Sequence, residues 1–450
     1  MVGLAALAAA GGLVALRHVP MKTVEAAESP SSTLETTAGA QGIAPAARLL
    51  AGGSKPGASG GEPAKIAPVP VPPPLVGLDL AKLGIDDAGV TAPLANRRVA
   101  RLTLDPELQE TATKLLRAYK LPEASIVLAD PLTGEVLVYA SHVEEGKPRD
   151  LASEATAPAA SVFKVITGSA LVEQAGQGPD TRQCYSGGEH DIRAIDLEES
   201  PQRDRWCTTL SGAMGRSINT VFARMAQKHL KPAGLEEMAH AYGFGEPVPF
   251  DIPVAPSTLK LPAESLGFAR TAAGFWNSTL SPVEAVWIST IVARGGDAPR
   301  LRLVREVVED GKPIWTAPAG AQPGIRRVIS HETAQAVTTM MEHTVSEGTS
   351  YRAFRDRRGA SFLPDISVAG KTGTLTDAQT QRFYTWFSGF APSRPHEGGP
   401  RPVAISVLVV NKPTWKIKAN VIAREMLRAY FAQQKVERVS KPKIELVARR

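Results

Sequence analysis

A serine and a lysine three residues apart are the first pair in this sequence that could do chemistry. Ser161-Val162-Phe163-Lys164 begins a predicted helix, and residues three apart lie on one helix face. The Lys164 amine can therefore reach the Ser161 hydroxyl, which is a weak nucleophile unless a base activates it. The amine can be that base only if burial or a nearby cation lowers its pKa. On the order of one S-x-x-K match is expected by chance in this chain, and a helix N-terminus with a solvated lysine has the same pattern.

A second motif, Ser217-Ile218-Asn219, lies between a short helical run at 209–216 and a helix predicted to begin near Thr220. Small polar side chains at this point could relay a proton and hold Lys164 in place. An ordinary helix cap has the same residue types, so this motif means little by itself.

The third motif is Lys371-Thr372-Gly373-Thr374, which follows the strand-like run at 366–370. A cation, a hydroxyl and a glycine on one strand edge can hold a substrate carboxylate, because the glycine admits a peptide backbone at close range. The alternative is a strand that ends in a turn.

The elements that must position these motifs follow from hydrophobic periodicity. Strand patterns occur early, at 125–130 and 135–141, and again late, at 366–375, 382–391 and 401–411. The first pair reads as an antiparallel hairpin, and helical patterns fill the middle of the chain. Asp105 precedes an early helix as its N-cap, and an amphipathic helix at 421–434 ends the domain. We therefore expect one sheet built from both ends of the folded part, with a helical subdomain inserted between them.

With S-x-x-K, S-x-N and K-T-G in this order, the chain resembles the transpeptidase domain of penicillin-binding proteins, which is related to serine β-lactamases. The resemblance runs from about residue 98 to about residue 433 and includes LTLDPELQ, DPLTGEVLVYAS, VSEGTSYRAF and WFSGFAP. It implies an α+β fold in which helices flank a five-stranded antiparallel sheet beside an all-helical lobe. The active site would lie in the cleft between the two.

The resemblance also implies catalytic roles. Ser161 would be the nucleophile that the D-Ala-D-Ala end of a peptidoglycan stem peptide acylates, with Lys164 as its general base. Ser217 and Asn219 would move protons and orient Lys164 and the substrate amide. Before Phe163-Lys164 the chain reads Pro-Ala-Ala-Ser-Val at 158–162, whereas many family members carry Pro-Gly-Ser-Thr there. These small residues should still be tolerated.

Substrate binding is implied for the third motif. Lys371, Thr372 and Thr374 would hold the substrate carboxylate, with Gly373 between them, and the backbone N–H groups of Ser161 and Thr374 would form the oxyanion hole. β-Lactams would acylate the same serine as inhibitors. The resemblance implies no metal and no organic cofactor.

Outside this domain the sequence predicts three further segments. Residues 1–16 are apolar or Gly, so 1–24 are expected to be a signal or membrane-anchor segment. Residues 25–97 are rich in Pro, Gly and Ala and are expected to form a disordered tether. Residues 98–433 would be the transpeptidase domain and 434–450 a basic C-terminal tail. The expected location is the cell inner membrane, with one span and a periplasmic or extracytoplasmic catalytic domain.

Cys184 and Cys207 lie 23 residues apart in a charged, Gly-rich excursion before the second motif. In an exported domain a disulfide between them is the favoured interpretation. A zinc site that uses both thiolates with His190 and Asp191 or Asp196 is an alternative, and so are two free thiols. His229 and His240, on predicted helices, are interpreted as packing or surface residues.

Composition narrows the class of partner. The net charge is +6, with 51 Lys and Arg against 45 Asp and Glu and no long basic block, which argues against a nucleic-acid binder but not against an anionic wall polymer. The function expected is a D,D-transpeptidase that cross-links stem peptides. A D,D-carboxypeptidase, a serine β-lactamase and a non-enzymatic β-lactam sensor are the alternatives. The sequence names no protein partner.

Overall fold

The computed structural model describes residues 72–87, 89–188 and 191–440. The expected anchor segment, residues 25–71 of the expected tether and residues 441–450 of the expected tail lie outside the described residues. Within the described part of the chain, no helix is both long and apolar enough to cross a membrane.

The strands of the described residues are short at the beginning of the chain and longest near its end. In chain order they are β1 (Gly84–Asp86), β2 (Gly89–Pro93), β3 (Val99–Leu102), β4 (Glu123–Ala129), β5 (Val136–Val143), β6 (Ala157–Pro158), β7 (Arg182–Tyr185), β8 (Trp206–Thr209), β9 (Thr279–Leu280), β10 (Asp297–Ala298), β11 (Val304–Glu309), β12 (Lys312–Thr316), β13 (Arg326–Arg327), β14 (Ala369–Asp377), β15 (Arg382–Ala391) and β16 (Val403–Asn411).

Most helices lie between β5 and β14, as the hydrophobic periodicity predicts. In chain order they are α1 (Pro106–Ala118), α2 (Lys164–Ala175), α3 (Ala194–Leu197), α4 (Leu210–Arg216), α5 (Asn219–His229), α6 (Pro232–Ala241), α7 (Ser265–Ala272), α8 (Pro282–Ala293), α9 (His331–Ser346) and α10 (Ala419–Ser440). The predicted N-cap is confirmed, since the Asp105 carboxylate accepts a hydrogen bond of 2.9 Å from the Leu108 N–H.

The central sheet is built from both ends of the domain, which confirms the sequence prediction. Its strands lie in the order β14-β15-β16-β4-β5, and every neighbouring pair is antiparallel. β4 and β5 form the predicted hairpin, and β16 joins them to the late strands. The fold is therefore the α+β fold expected, a five-stranded antiparallel sheet flanked by helices.

Helices cover both faces of this sheet, so β16 is buried at every position. Side chains alternate between the two faces of a strand. Val403, Ile405, Val407 and Val409 pack into one apolar cluster with α1 and α10. The alternate positions face α8, and the Ser406 hydroxyl donates a hydrogen bond of 2.6 Å to a carbonyl of that helix. A strand as rich in apolar residues as β16 needs this doubly covered position.

The helical lobe packs around α2, whose residues from Lys164 to Leu171 are all buried. α5, α6 and α9 contact α2, and α7 contacts α5. This lobe is the all-helical subdomain that the sequence predicts between the early and late strands.

The expected tether is corrected at its C-terminal end. Residues 84–97 are not a disordered linker, because β1 and β2 join β3, β11 and β12 in a second sheet. Val90 and Ala92 are buried in β2, and Ala92 pairs with Ala100. Ala100 in turn pairs with Val307, more than 200 residues later. Composition alone misses this segment because its order depends on pairing with distant strands.

The C-terminal boundary also differs from the prediction. α10 continues through the expected start of the tail at residue 434 and ends at Ser440. Gln434 is buried and its side chain bonds to both backbone groups of Arg401. These contacts fasten the helix beyond residue 433 to the loop before β16.

Candidate active site

The structure brings Ser161 and Lys164 together as the three-residue spacing predicts. Ser161 lies in a 3₁₀ turn, Ala160–Phe163, that leads directly into α2. Lys164 is the first residue of α2, and its Nζ lies 2.9 Å from Ser161 Oγ. Ser161 is partly exposed, whereas Lys164 is completely buried. The hydroxyl thus faces the solvent side of the turn and its candidate base lies beneath it.

The Lys164 amine is enclosed by polar acceptors and one aromatic ring. Nζ donates to Asn219 Oδ1 at 2.6 Å and to the Ala273 carbonyl at 2.5 Å. The ring of Phe222 lies 5.6 Å away. Burial, and then the positive charge of Lys371, lower the pKa of Lys164 well below its ordinary value. A neutral amine beside a hydroxyl can take up the proton of that hydroxyl.

The second motif connects the two lysines of the site. Asn219 begins α5 and contacts Lys164. Ser217 caps the C-terminal end of α4 with left-handed backbone angles, φ 59° and ψ 41°. This turn directs its hydroxyl to Lys371, whose Nζ donates to Ser217 Oγ at 2.9 Å. Both polar side chains of the S-x-N motif therefore lie at the site, and each is hydrogen-bonded to a different lysine.

The third motif lies on β14, which is the edge strand of the central sheet. An edge strand has one row of backbone groups free to pair with an added peptide. Lys371 is buried, and burial lowers its pKa to about 7. Thr372 Oγ1 lies 2.6 Å from Thr349 Oγ1. Thr374 is exposed on the same strand.

Gly373 lies level with the nucleophile turn. A methyl group added at Gly373 would lie 3.1 Å from the Cβ of Ala160 and 3.2 Å from the Cβ of Trp386. The Trp386 indole N–H donates 2.9 Å to the Pro158 carbonyl, which holds β15 against the segment before the nucleophile. Glycine is therefore the residue that lets β14 pass this closely beside Ser161.

The three motifs share one cavity of about 570 Å³. Its walls come from the nucleophile turn, the S-x-N segment, the β14 edge and the start of α10. The lining residues are Ser161, Ser217, Asn219, Phe275, Trp276, Thr349, Thr372, Gly373, Thr374, Leu375, Thr376, Thr385, Trp386, Lys418, Ala419 and Asn420.

Several residues in or beside this cavity were not found from the sequence. Ala273 supplies a carbonyl to Lys164, and Gly274, with φ +83°, lies against the nucleophile turn. A methyl group at Gly274 would lie 2.4 Å from the Ala160 carbonyl oxygen. A glycine just after a helix, as here after α7, is a weak signal of such a turn. Nothing local in the sequence indicates that Thr349 or Lys418 lies in the cavity.

Cys184 and Cys207 form a disulfide bond that joins β7 to β8. The bond excludes the zinc alternative, which needs both thiolates, and the free-thiol alternative. His190 lies outside the described residues, and Asp191 and Asp196 pair with arginines. Within the described residues no group of three or more His, Cys, Asp and Glu side chains could hold a metal ion.

The disulfide hairpin braces the helix that carries Asn219. Arg224 on α5 is buried and pairs with Asp204 at 2.7 Å. The same guanidinium donates to the Cys184 carbonyl at 2.9 Å. One turn earlier, the Thr220 hydroxyl donates to the Gly187 carbonyl at 2.6 Å. His229 and His240 do not line the cavity.

Comparison with known proteins agrees with this geometry. The family model "Penicillin binding protein transpeptidase domain" matches residues 124–427. No curated protein matches the sequence.

Solved structures with the same fold come from several bacteria. The D,D-transpeptidase domain of a peptidoglycan glycosyltransferase from Eggerthella lenta is 23% identical, with a TM-score of 0.60 over 75% of this chain and 84% of that one. The imipenem acyl-enzyme of penicillin-binding protein A from M. tuberculosis is 24% identical, with a TM-score of 0.60 over 74% and 79%. The transpeptidase domain of Burkholderia pseudomallei penicillin-binding protein 3 is 21% identical, with a TM-score of 0.58 over 76% and 98%. These likenesses show the fold.

Proposed function

Because the chain belongs to the family of penicillin-binding protein transpeptidase domains, we propose that it is a serine D,D-transpeptidase that cross-links peptidoglycan stem peptides. The observation that carries the proposal is the pair Ser161 and Lys164. Their reacting atoms lie 2.9 Å apart, and burial lowers the pKa of the lysine. A nucleophile paired with a neutral base is what acyl transfer through a serine ester requires.

In the acylation step, Lys164 takes the hydroxyl proton as Ser161 Oγ attacks the carbonyl of the penultimate D-Ala. The C–O bond forms, and the carbonyl oxygen becomes an oxyanion. We assign its stabilisation to the backbone N–H groups of Ser161 and Thr374. Collapse of this intermediate breaks the peptide bond, and the departing amine of the terminal D-Ala receives a proton from the Lys164 ammonium.

The terminal carboxylate of the donor is assigned to Lys371 and the threonines of β14. The Lys371 amine lies on the buried side of the strand and contacts Ser217. Thr372 and Thr374 present hydroxyls at the cavity wall. A cation and two hydroxyl donors suit a carboxylate. Because Gly373 has no side chain, the donor backbone can approach the strand between them.

In the second step, an amine of a neighbouring stem peptide attacks the ester carbonyl of the acyl-enzyme. The new amide bond is the cross-link, the ester C–O bond breaks, and Ser161 recovers its proton through Lys164. The same serine would react with β-lactams, and neighbours with this fold are described as imipenem and ceftriaxone acyl-enzyme complexes.

We also propose that the catalytic domain works outside the cytoplasm, with residues 1–24 as its anchor in the inner membrane. The disulfide between Cys184 and Cys207 supports this location, because such bonds persist in oxidising compartments. Protease added to intact spheroplasts should digest the domain if the proposal is right. Protection that is lost only on lysis would place the domain in the cytoplasm.

The decisive experiment labels the purified protein with a fluorescent penicillin and follows the adduct over hours. We expect one adduct per chain that Ser161→Ala abolishes. Addition of a stem peptide and an amine acceptor should then yield the cross-linked product by mass spectrometry. Hydrolysed product alone indicates a D,D-carboxypeptidase, rapid loss of the adduct indicates a β-lactamase, and a stable adduct without peptide turnover indicates a sensor. Labelling unaffected by Ser161→Ala would overturn the serine mechanism.

A further inference from the structure

We propose that Lys418 forms a subsite for a carboxylate-bearing side chain of the donor peptide, on the acyl side of the bond that is broken. This inference rests on the proposed function, because it concerns the acyl donor of that reaction. It adds a specificity-determining residue outside the three motifs.

The direction of the donor follows from the order of residues along β14. Of the residues assigned to the terminal carboxylate, Lys371 and Thr372 come first on the strand and Thr374 comes two residues after Thr372. Gly373 lies level with the nucleophile turn, since a methyl group there would contact Ala160. Thr376 follows, about 10 Å beyond Gly373 at about 3.3 Å per residue. An extended donor paired with this edge therefore has its carboxylate at Thr372 and Thr374 and its acyl portion toward Thr376.

Lys418 lies at this acyl end of the cavity. It precedes α10 and lines the same cavity as Ser161 and Thr376. Its Nζ lies 5.6 Å from the centroid of the Trp415 ring. Trp415 in turn stacks on Phe383 with ring centroids 5.0 Å apart, and Phe383 is the cross-strand partner of Thr376. The aromatic pair thus holds the lysine beside the end of the β14 edge.

The charge of the cavity points to an anionic ligand. Lys418 is the single charged side chain among the described residues that line it. No carboxylate in the described part of the chain pairs with Lys418, which is exposed. Thr376 is also exposed, and it lies beyond the threonines assigned to the terminal carboxylate. An ammonium group beside a hydroxyl can bind a carboxylate, whereas it repels a cationic side chain.

The test uses synthetic N-acyl-D-alanyl thioglycolates that differ only in the side chain one residue before the D-alanine. That side chain ends in a carboxylate, a carboxamide or an ammonium group. In the reaction, Ser161 Oγ displaces the thiol and forms the same acyl-enzyme. For the wild type at low salt we expect kcat/KM to be about fivefold higher for the carboxylate than for the carboxamide, as a solvent-exposed charge pair allows. The preference should shrink at high salt.

Variants then separate this subsite from the rest of the chemistry. Lys418→Met should abolish the preference, and Lys418→Glu should reverse it in favour of the ammonium donor. Lys412→Met is the matched control, because Lys412 is exposed on the same loop and does not line the cavity. Acylation by benzylpenicillin, which carries no ionised acyl side chain, gives the reference rate to which the donor rates of each variant are normalised.

The outcomes distinguish the two proposals. Equal rates for the carboxylate and carboxamide donors would overturn the subsite, and so would a preference that survives Lys418→Met. If benzylpenicillin still acylates the protein in that case, the serine mechanism remains. Failure of the wild type to react with both the thioglycolates and benzylpenicillin would overturn the proposed function, and the subsite with it.

Discussion

The active site contains two buried lysines with different tasks. Lys164 must be neutral to accept the proton of Ser161, whereas Lys371 must be charged to hold a carboxylate. Burial lowers the pKa of both amines, and the charge of Lys371 further lowers the pKa of Lys164. Paired ionisable groups whose pKa values are set by their environment are a recurring basis for assigning acid and base roles.

A pH profile tests this division. We expect kcat/KM for a donor with a free terminal carboxylate to rise with pH as Lys164 loses its proton. The rate should fall again as pH passes about 7, because Lys371 is charged below its pKa of about 7 and neutral above it. A donor whose terminal carboxylate is replaced by a carboxamide should keep the rising limb and lose the falling one. Identical profiles for the two donors would contradict the assignment of Lys371.

Removal of the base should cost most of the acylation rate. Lys164→Met keeps the length and burial of the side chain but removes the amine that lies 2.9 Å from Ser161. We expect acylation by a fluorescent penicillin to slow by about 10²- to 10⁴-fold, the usual contribution of a general base. Lys228→Met, on the exposed face of α5, is the control and should react at the wild-type rate. A rate within tenfold of wild type for Lys164→Met would show that another group takes the proton.

The nucleophile turn is shaped by the loop after α7, which packs against it. Ala160 has a positive φ of 49°, which is unusual for a residue with a side chain. Gly274 lies directly against its carbonyl, and the preceding Ala273 binds Lys164. The loop after α7 therefore positions both members of the catalytic pair.

Substitution of Gly274 tests this contact. Gly274→Ala introduces a methyl group 2.4 Å from the Ala160 carbonyl oxygen at a positive φ of 83°, so the turn or the loop must move. We expect acylation to slow at least tenfold and stability to fall by about 1–3 kcal/mol. Gly178→Ala is the control, because a methyl group there meets nothing within 4 Å. Equal acylation rates for the two variants would mean that the loop does not set the geometry of the turn.

The disulfide hairpin makes a second prediction for an element. The double variant Cys184→Ser, Cys207→Ser removes the bond between β7 and β8, and we expect a loss of roughly 3 kcal/mol of unfolding free energy. Acylation should also slow, because this hairpin contacts Arg224 and Thr220 on the helix that presents Asn219. Urea unfolding and penicillin labelling measure the two effects. Lower stability with an unchanged labelling rate would limit the hairpin to a structural role.

Elements with a strong local pattern were predictable from the sequence, and contacts made across the fold were not. The periodicity of α10, the alternation in β4 and β5 and the three motifs each depend on neighbouring residues, so a single sequence contains them. The pairing of β2 with β3 depends on β11, and the place of Lys418 depends on where α10 begins above β15. Such positions follow from tertiary packing, for which no local signal exists.

Helix α8 connects the central sheet to the helical lobe. On one side its Ala285 carbonyl accepts a hydrogen bond of 2.7 Å from the hydroxyl of Ser388 in β15. On the other side Glu284 faces the lobe. A methyl group added at Gly243, just after α6, would lie 3.5 Å from the Oε1 atom of Glu284. Glu284 is completely buried. Contacts with Ser257 favour its ionised form but offset the effect of burial only in part.

A buried carboxyl at this junction should make the stability of the protein depend on pH. Burial raises the pKa of Glu284 to about 8, so the folded protein keeps a proton that the unfolded chain releases near pH 4.5. Stability is therefore lost as pH rises between these two values and levels off above about 8. Glu284→Gln cannot ionise, so its free energy of unfolding should rise relative to that of the wild type by a few kcal/mol from pH 5 to pH 8. Glu236→Gln, on the exposed face of α6, should show no such trend. Urea unfolding at both pH values measures the gap, and a gap for Glu284→Gln that does not change with pH would show that this carboxyl is already ionised in the folded protein.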